Sequence, residues 1–236
     1  MIIAQQQIDE YCPETDIYHR LLSLDNKHIV ELGCGSADIT RDIASSGIGR
    51  KLWAFEVDEI AHQKNLQLTD LHNVTFSLAG AQDIPLEDAS MDIVFMFKSL
   101  HHVPLDLMDQ SLNEVHRILK PGGMAYISEP VFDGEFNEIL RLFHDEQNVR
   151  IAAFNALERA VNRKLFNLVD EVFFKAPLKF ACFSDFENKV IKATYSNHRL
   201  SDNVYNEVQQ AFAKHMKADG VQFNQPIRVD LLQRPI

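Results

Sequence analysis

Apolar positions in this chain change their period repeatedly, and each change marks a new element. Ile17, Leu21, Leu22 and Leu24 keep helical spacing in a lead-in over residues 1–27, with Thr15 or Asp16 as the expected cap. Ile29, Val30 and Leu32 form a short apolar run that stops at Gly33-Cys34-Gly35, after which Ala37, Ile39 and Ile43 return to helical spacing as far as Ser46-Gly47. The next strand covers 51–58 and ends in acids, a helix covers 59–68, and Val74–Leu78 is a third strand. Residues 91–97 are wholly apolar after Asp92, as a strand buried on both faces should be. A helix from Asp106, carrying Leu107, Leu112, Val115, Ile118 and Leu119, closes on Lys120-Pro121-Gly122-Gly123 before a fifth strand over 124–128. Strand and helix have then alternated five times, which predicts a parallel sheet covered on both faces, with a ligand site at the carboxyl ends of its strands.

Beyond Pro130 the rhythm changes. Two helices are expected over 135–168, a sixth strand from the runs 172–174 and 178–183, a capping box at Ser184–Glu187, a helix over 202–217 and a last strand over 227–232. The whole reads as one α/β domain of 236 residues, with a helical lid or substrate region over 133–220. Ten of the 16 phenylalanines fall between 132 and 186, a crowding that core packing, a homodimer contact or an apolar lid would each explain.

Composition narrows the setting. Lys and Arg total 23 against 34 Asp and Glu, a net charge of -11, which opposes broad contact with a nucleic acid and favours a small-molecule substrate. No apolar run approaches the roughly 18 residues of a membrane span, and the first residues lack a basic leader, so a cytoplasmic protein without membrane contact is expected. Cys12, Cys34 and Cys182 show no zinc-type pairing and suit free thiols.

The candidate chemistry gathers at strand ends. The turn at Gly33 and Gly35 offers bare backbone and a helix N-terminus to a nucleotide-like ligand. Glu56, closing the second strand, could accept both hydroxyls of a ribose, with Asp58 as a substitute, and the loop at 79–85 could hold a base. With Val30–Gly35, Ala54–Asp58, Ala79–Pro85, Ser90–Val94, Ser99–Val103 and Leu119–Gly123 in this order, residues 28–132 resemble the class I S-adenosylmethionine-dependent methyltransferases, in particular the type 11 group that includes ubiquinone and menaquinone methyltransferases. The resemblance implies a doubly wound, mostly parallel seven-stranded sheet of the Rossmann-like methyltransferase kind, with a helical insertion after the fifth strand.

It also implies site roles. Glu31, Gly33, Cys34 and Gly35 would hold the methionine part of S-adenosylmethionine, Glu56 and Val57 its ribose side, and Ala81, Gln82 and Asp83 its adenine. Phe97 and Lys98 would offer carbonyls to its amino group. Two positions depart from the family pattern: Ala79-Gly80-Ala81 stands where Gly-Asp-Ala is common, and Ala37 replaces a third glycine.

The implied function is methyl transfer to an unidentified small-molecule acceptor, leaving S-adenosylhomocysteine. The sulfonium already activates the methyl group, so the protein need only align the acceptor and exclude water, adding a base where the acceptor is protonated. His101 and His102, after the fourth strand, and Glu129, after the fifth, are the candidates. No metal is expected, because no carboxylate cluster accompanies the histidines at ligand spacing in the sequence. A nicotinamide dehydrogenase would want glycine at position 38, which is Asp38. A non-catalytic binding or regulatory protein on the same fold is the alternative, with tRNA or protein methylation behind it.

Overall fold

The computed structural model describes residues 1–193 and 198–236. The expected alternation is present: α1 (Glu14–Leu21), β1 (His28–Leu32), α2 (Asp38–Ser45), β2 (Lys51–Glu56), α3 (Glu59–Asn65), β3 (Val74–Leu78), β4 (Met91–Phe97), α4 (Met108–Ile118) and β5 (Leu119–Pro130). Then come α5 (Glu135–Leu140), α6 (Gln147–Asn162), β6 (Asn167–Phe180), α7 (Phe183–Phe186), α8 (Asp202–Ala213) and β7 (Val221–Gln233). Among the described residues seven strands make one sheet in the order β3-β2-β1-β4-β5-β7-β6. The pairs among β1 to β5 are parallel, and β7 inserts antiparallel between β5 and β6. This is the doubly wound, mostly parallel Rossmann-like sheet that the sequence implied.

Alternation along each strand sends neighbouring residues to opposite cores. Val30, Leu32 and Val94 pack with Leu112 and Val115 of α4 and Leu157 of α6. Ile29, Ile93 and Phe95 pack on the other face with Ile17 and Tyr18 of α1 and Ile43 of α2. A third cluster lies beyond the parallel strands, where Phe136, Phe180, Phe186, Phe212 and Phe223 close around one another. The phenylalanines thus go largely into packing within the chain.

Local differences have physical causes. Neither Thr15 nor Asp16 caps α1; Pro13 stands at the cap with no side-chain bond, its fixed φ of -59° leading into the helix. The capping box expected at Ser184–Glu187 does not form, because the cap falls two residues earlier, at Cys182, and the helix from Phe183 runs on into a π-helical turn over Glu187–Ile191. The helix expected from Asp106 starts at Met108, preceded by a 3-10 turn over Leu100–His102. Lys120–Gly123 is not a free turn: pairing with β4 begins at Leu119 and resumes at Met124, with an irregular register between. The runs expected as pieces of a sixth strand are one 14-residue strand through Pro177. It lies at the sheet edge, where a proline costs no ladder bond on its open side.

Candidate cofactor and acceptor site

The order of the sheet places β1 and β4 side by side, while the chain leaves β1 toward β2 on one flank and β4 toward β5 on the other. The crevice of such a fold opens at that point, above the carboxyl ends. The turn after β1 occupies it. Gly33 and Cys34 both donate their backbone N–H to the Phe55 carbonyl, at 2.9 and 3.0 Å, which ties the turn to the end of β2. The two glycines are needed for different reasons. Gly33 has φ +77°, and a Cβ there would stand 2.7 Å from the Ser99 Cβ. Gly35 has φ +53°, but a Cβ there would meet no atom within 4 Å. Gly33 is therefore packed against the fourth strand's loop, whereas Gly35 borders open space that a ligand can use. Ala37, at the missing third glycine, still adopts the left-handed conformation, φ 61°, at an expected cost of about 1–2 kcal/mol.

Glu56 is buried at the end of β2 and organises the turn. It accepts from Gly35 N at 2.6 Å, Val57 N at 2.8 Å and Asp58 N at 2.9 Å. A carboxylate has about four acceptor positions, so this arrangement leaves room for one ribose hydroxyl, and a second requires one N–H to give way. Asp58 is committed elsewhere, accepting from Ile60 N and Ala61 N to cap α3. Val57 and Leu78 are exposed apolar residues at the ends of the adjacent strands β2 and β3, a platform suited to a base. In the following loop Ala81 is buried, and among the described residues its N–H meets no acceptor. Gln82 and Asp83 follow it, with Asp83 N turned to the Gly80 carbonyl at 3.2 Å and Gln82 O taken by Gln110 Nε2 at 2.9 Å.

Glu31 and Cys34 are placed behind the turn. The Glu31 carboxyl is buried and accepts from Thr40 Oγ1 at 2.5 Å; burial raises it to about 8, with the Thr40 bond pulling the other way. It braces β1 against α2. Burial, reinforced by Glu31 and Glu56, pushes the Cys34 thiol up, so it is a small filling group and not a thiolate. Phe97 is buried and stacks on Phe95 with ring centroids 4.9 Å apart. Lys98, left-handed at φ 54°, pairs through Nζ with Glu14 at 2.5 Å and so fastens the start of α1 to the end of β4.

The three candidate catalytic residues form a second group next to this turn, tied to it by Ser99 Oγ, which donates to Leu32 O at 2.7 Å. Glu129 accepts from Leu100 N at 3.0 Å and His101 N at 3.3 Å with one oxygen, and pairs with His101 Nδ1 through the other. On its other side His101 Nε2 faces Glu146 Oε1 at 3.7 Å. Burial opposes charge on His101, but the two carboxylates outweigh it and raise the imidazole to about 9. Glu129 is buried as well, yet the His101 charge holds its carboxyl below its ordinary value. The His102 ring lies 4.0 Å from that of His101, and desolvation together with the His101 charge lowers its imidazole.

Sequence reasoning missed Glu146, which stands 45 positions from His101 at the start of α6 with no local motif around it. It also missed Asn65, whose Nδ2 donates to Gly35 O at 2.8 Å and holds the turn from α3. The premise that no carboxylate accompanies the histidines is corrected: ligating atoms of His101, His102 and Glu146 all lie within 4.8 Å of one another.

Residues 30–127 match the family described as methyltransferase domain, type 11. The chain carries a stretch similar to a methyltransferase domain over less than half of its length. It is 27% identical over 128 residues to a sterol 4-C-methyltransferase of Caenorhabditis elegans, a match over 52% of this chain and 36% of that protein. It is 32% identical over 119 residues to a demethylmenaquinone methyltransferase of Geobacillus stearothermophilus, over 48% of this chain and 50% of that one. The matches thus span half or less of these relatives' lengths. The fold of the methyltransferase domain and its flanks is that of the YcgJ protein of Bacillus subtilis, with a TM-score of 0.64, 14% identity and coverage of 94% and 97% of the two chains. Among the described residues no helix is long and apolar enough to cross a membrane.

Proposed function

We propose that the protein transfers a methyl group from S-adenosylmethionine to a small-molecule acceptor. The observation that carries this reading is the Gly33–Gly35 turn held by Glu56 at the crevice of a methyltransferase-family domain, with open space beside Gly35. Those residues suit the cofactor: backbone and one carboxylate position for the ribose, the exposed Val57 and Leu78 for a base, and the Ala81 N–H as donor to a ring nitrogen. When bound, the cofactor supplies a methyl group already activated by the sulfonium.

What the chain adds is placement. Glu56 and Asn65 hold the turn in its ligand-ready shape, Lys98 and Glu14 hold α1 over the end of β4, and Ser99 ties the loop that carries His101 and His102 to the turn. Glu129 becomes a positioning residue, since its oxygens are already engaged by Leu100, His101 N and His101 Nδ1. The relatives named above act on a sterol and a quinone, so the acceptor's class is left to experiment. Labelled methyl transfer from S-adenosylmethionine into a fractionated cell extract tests the reading: label should enter a low-molecular-weight fraction and depend on the protein. No label in any fraction, with cofactor binding intact, would instead favour the non-catalytic alternative, to which the crowded Glu56 carboxylate lends some support.

A further inference from the structure

The groups around His101 exceed what an acid–base pair requires. His101 and Glu146 each have one atom held by a partner and another facing the other residue. His101 is fixed through Nδ1 by Glu129, leaving Nε2 toward Glu146. Glu146 is fixed through Oε2 by Arg150, whose Nε and Nη2 lie 3.1 and 2.5 Å away, and its Oε1 faces both His101 Nε2 at 3.7 Å and His144 Nε2 at 3.0 Å. Arg150 is itself anchored on Asn137 Oδ1 at 3.0 Å and Val131 O at 3.3 Å. Metal-ligating histidines and carboxylates are oriented in this way, by a carboxylate on the far imidazole nitrogen and a donor on the far carboxylate oxygen.

We propose that His101, His102 and Glu146 bind one divalent first-row metal ion, such as zinc. Two imidazoles and one carboxylate are the ligand set of open metal sites that keep a position for substrate. Their ligating atoms lie within 4.8 Å of one another, and ligands about 2 Å from a tetrahedral ion stand roughly 3.3 Å apart. The closure this needs is small, and His102 is the exposed member of the three. His144 Nε2 lies 3.0 Å from Glu146 Oε1 and gives up that oxygen when the ion binds.

The role of the ion, unlike its binding, rests on the methyltransferase reading. An acceptor hydroxyl bound to it would lose its proton to solvent more readily, because the ion stabilises the oxyanion. The oxygen's electron pair would then form the new bond to the methyl carbon as the carbon–sulfur bond breaks and its pair returns to sulfur, leaving S-adenosylhomocysteine.

Titration calorimetry of Zn²⁺ into the chelator-treated full chain tests the site. One equivalent should bind with a Kd of micromolar or tighter, and His102→Ala and Glu146→Gln should each weaken it at least tenfold. Glu129→Gln, which touches no ligating position but releases His101, should weaken it about 10- to 100-fold. If Glu146→Gln fails to fold for want of the Arg150 pairing, the exposed His102→Ala decides alone. No saturable uptake by the folded wild type, or an affinity untouched by His102→Ala, overturns the proposal. S-adenosylhomocysteine titrated in parallel separates the two readings: cofactor without zinc sinks only the metal site, and zinc without cofactor sinks only the methyltransferase reading.

Discussion

The two halves of the crevice are built by different means. On the β1–β2–β3 side the ligand surface is largely backbone, in the turn after β1, held by the Glu56 carboxylate at the end of β2 and the Asn65 amide at the end of α3. On the β4–β5–α6 side the surface is side chains, and His101, Glu129 and Glu146 come from three separate elements. Away from Glu56 and Asn65 the first arrangement tolerates sequence change, because hydrogen bonds to backbone do not depend on the residues that carry it. The second depends on the packing of everything C-terminal to Pro130. The donor side of a methyltransferase domain can therefore stay constant while its acceptor side is rebuilt, and fold alone does not name the acceptor.

That contrast can be broken by experiment. Phe186→Ala should give the largest effect. The ring is fully buried against Phe136, Phe180, Phe183 and Phe212, and truncation should cost about 3–5 kcal/mol, read as a lower denaturant midpoint. Cofactor affinity of the molecules still folded should stay within about twofold of wild type, and a parallel collapse of that affinity would show that the halves are not separable. Next, Glu56→Ala should weaken S-adenosylhomocysteine roughly a hundredfold, since charge-assisted bonds of about 1.5–3 kcal/mol are lost to turn and ribose alike. Calorimetry would read it.

Gly35→Ala should cost less stability, about 1–2 kcal/mol from the left-handed φ alone, because its Cβ meets no protein atom. It should nevertheless reduce cofactor affinity by more than that strain requires, as the methyl group enters the ligand's space. Equal losses in melting and in binding would argue that the space is merely solvent. The smallest effect is a pH dependence. In the fold Glu31 keeps its proton up to about 8, whereas its ordinary value is 4.5, so between these the folded state binds more protons and stability falls as pH rises. Glu31→Gln should flatten that decline, with a melting temperature a few degrees above wild type at pH 8 and little changed at pH 5.

The same contrast governs what the sequence could disclose. The first five strands and the turn were legible because apolar period and glycine position are local signals. The placing of Glu56 followed from the end of β2, whereas its three bonds to backbone N–H groups carried no sequence signal. Pro177 broke the pattern of β6, although an edge strand tolerates it. Glu146 carried no signal: it stands at the start of α6 in an ordinary polar stretch, and only the return of that helix over β4 brings it to His101. Metal-ligand spacing in sequence is informative when one element carries the ligands and silent when two distant ones do.

The central claim is that the turn at Gly33–Gly35 and its supports form a cofactor site, and binding of S-adenosylhomocysteine to the wild-type chain tests it most directly. Calorimetry should show saturable binding of one equivalent at micromolar concentrations. A flat titration at millimolar ligand with the protein folded would contradict the account.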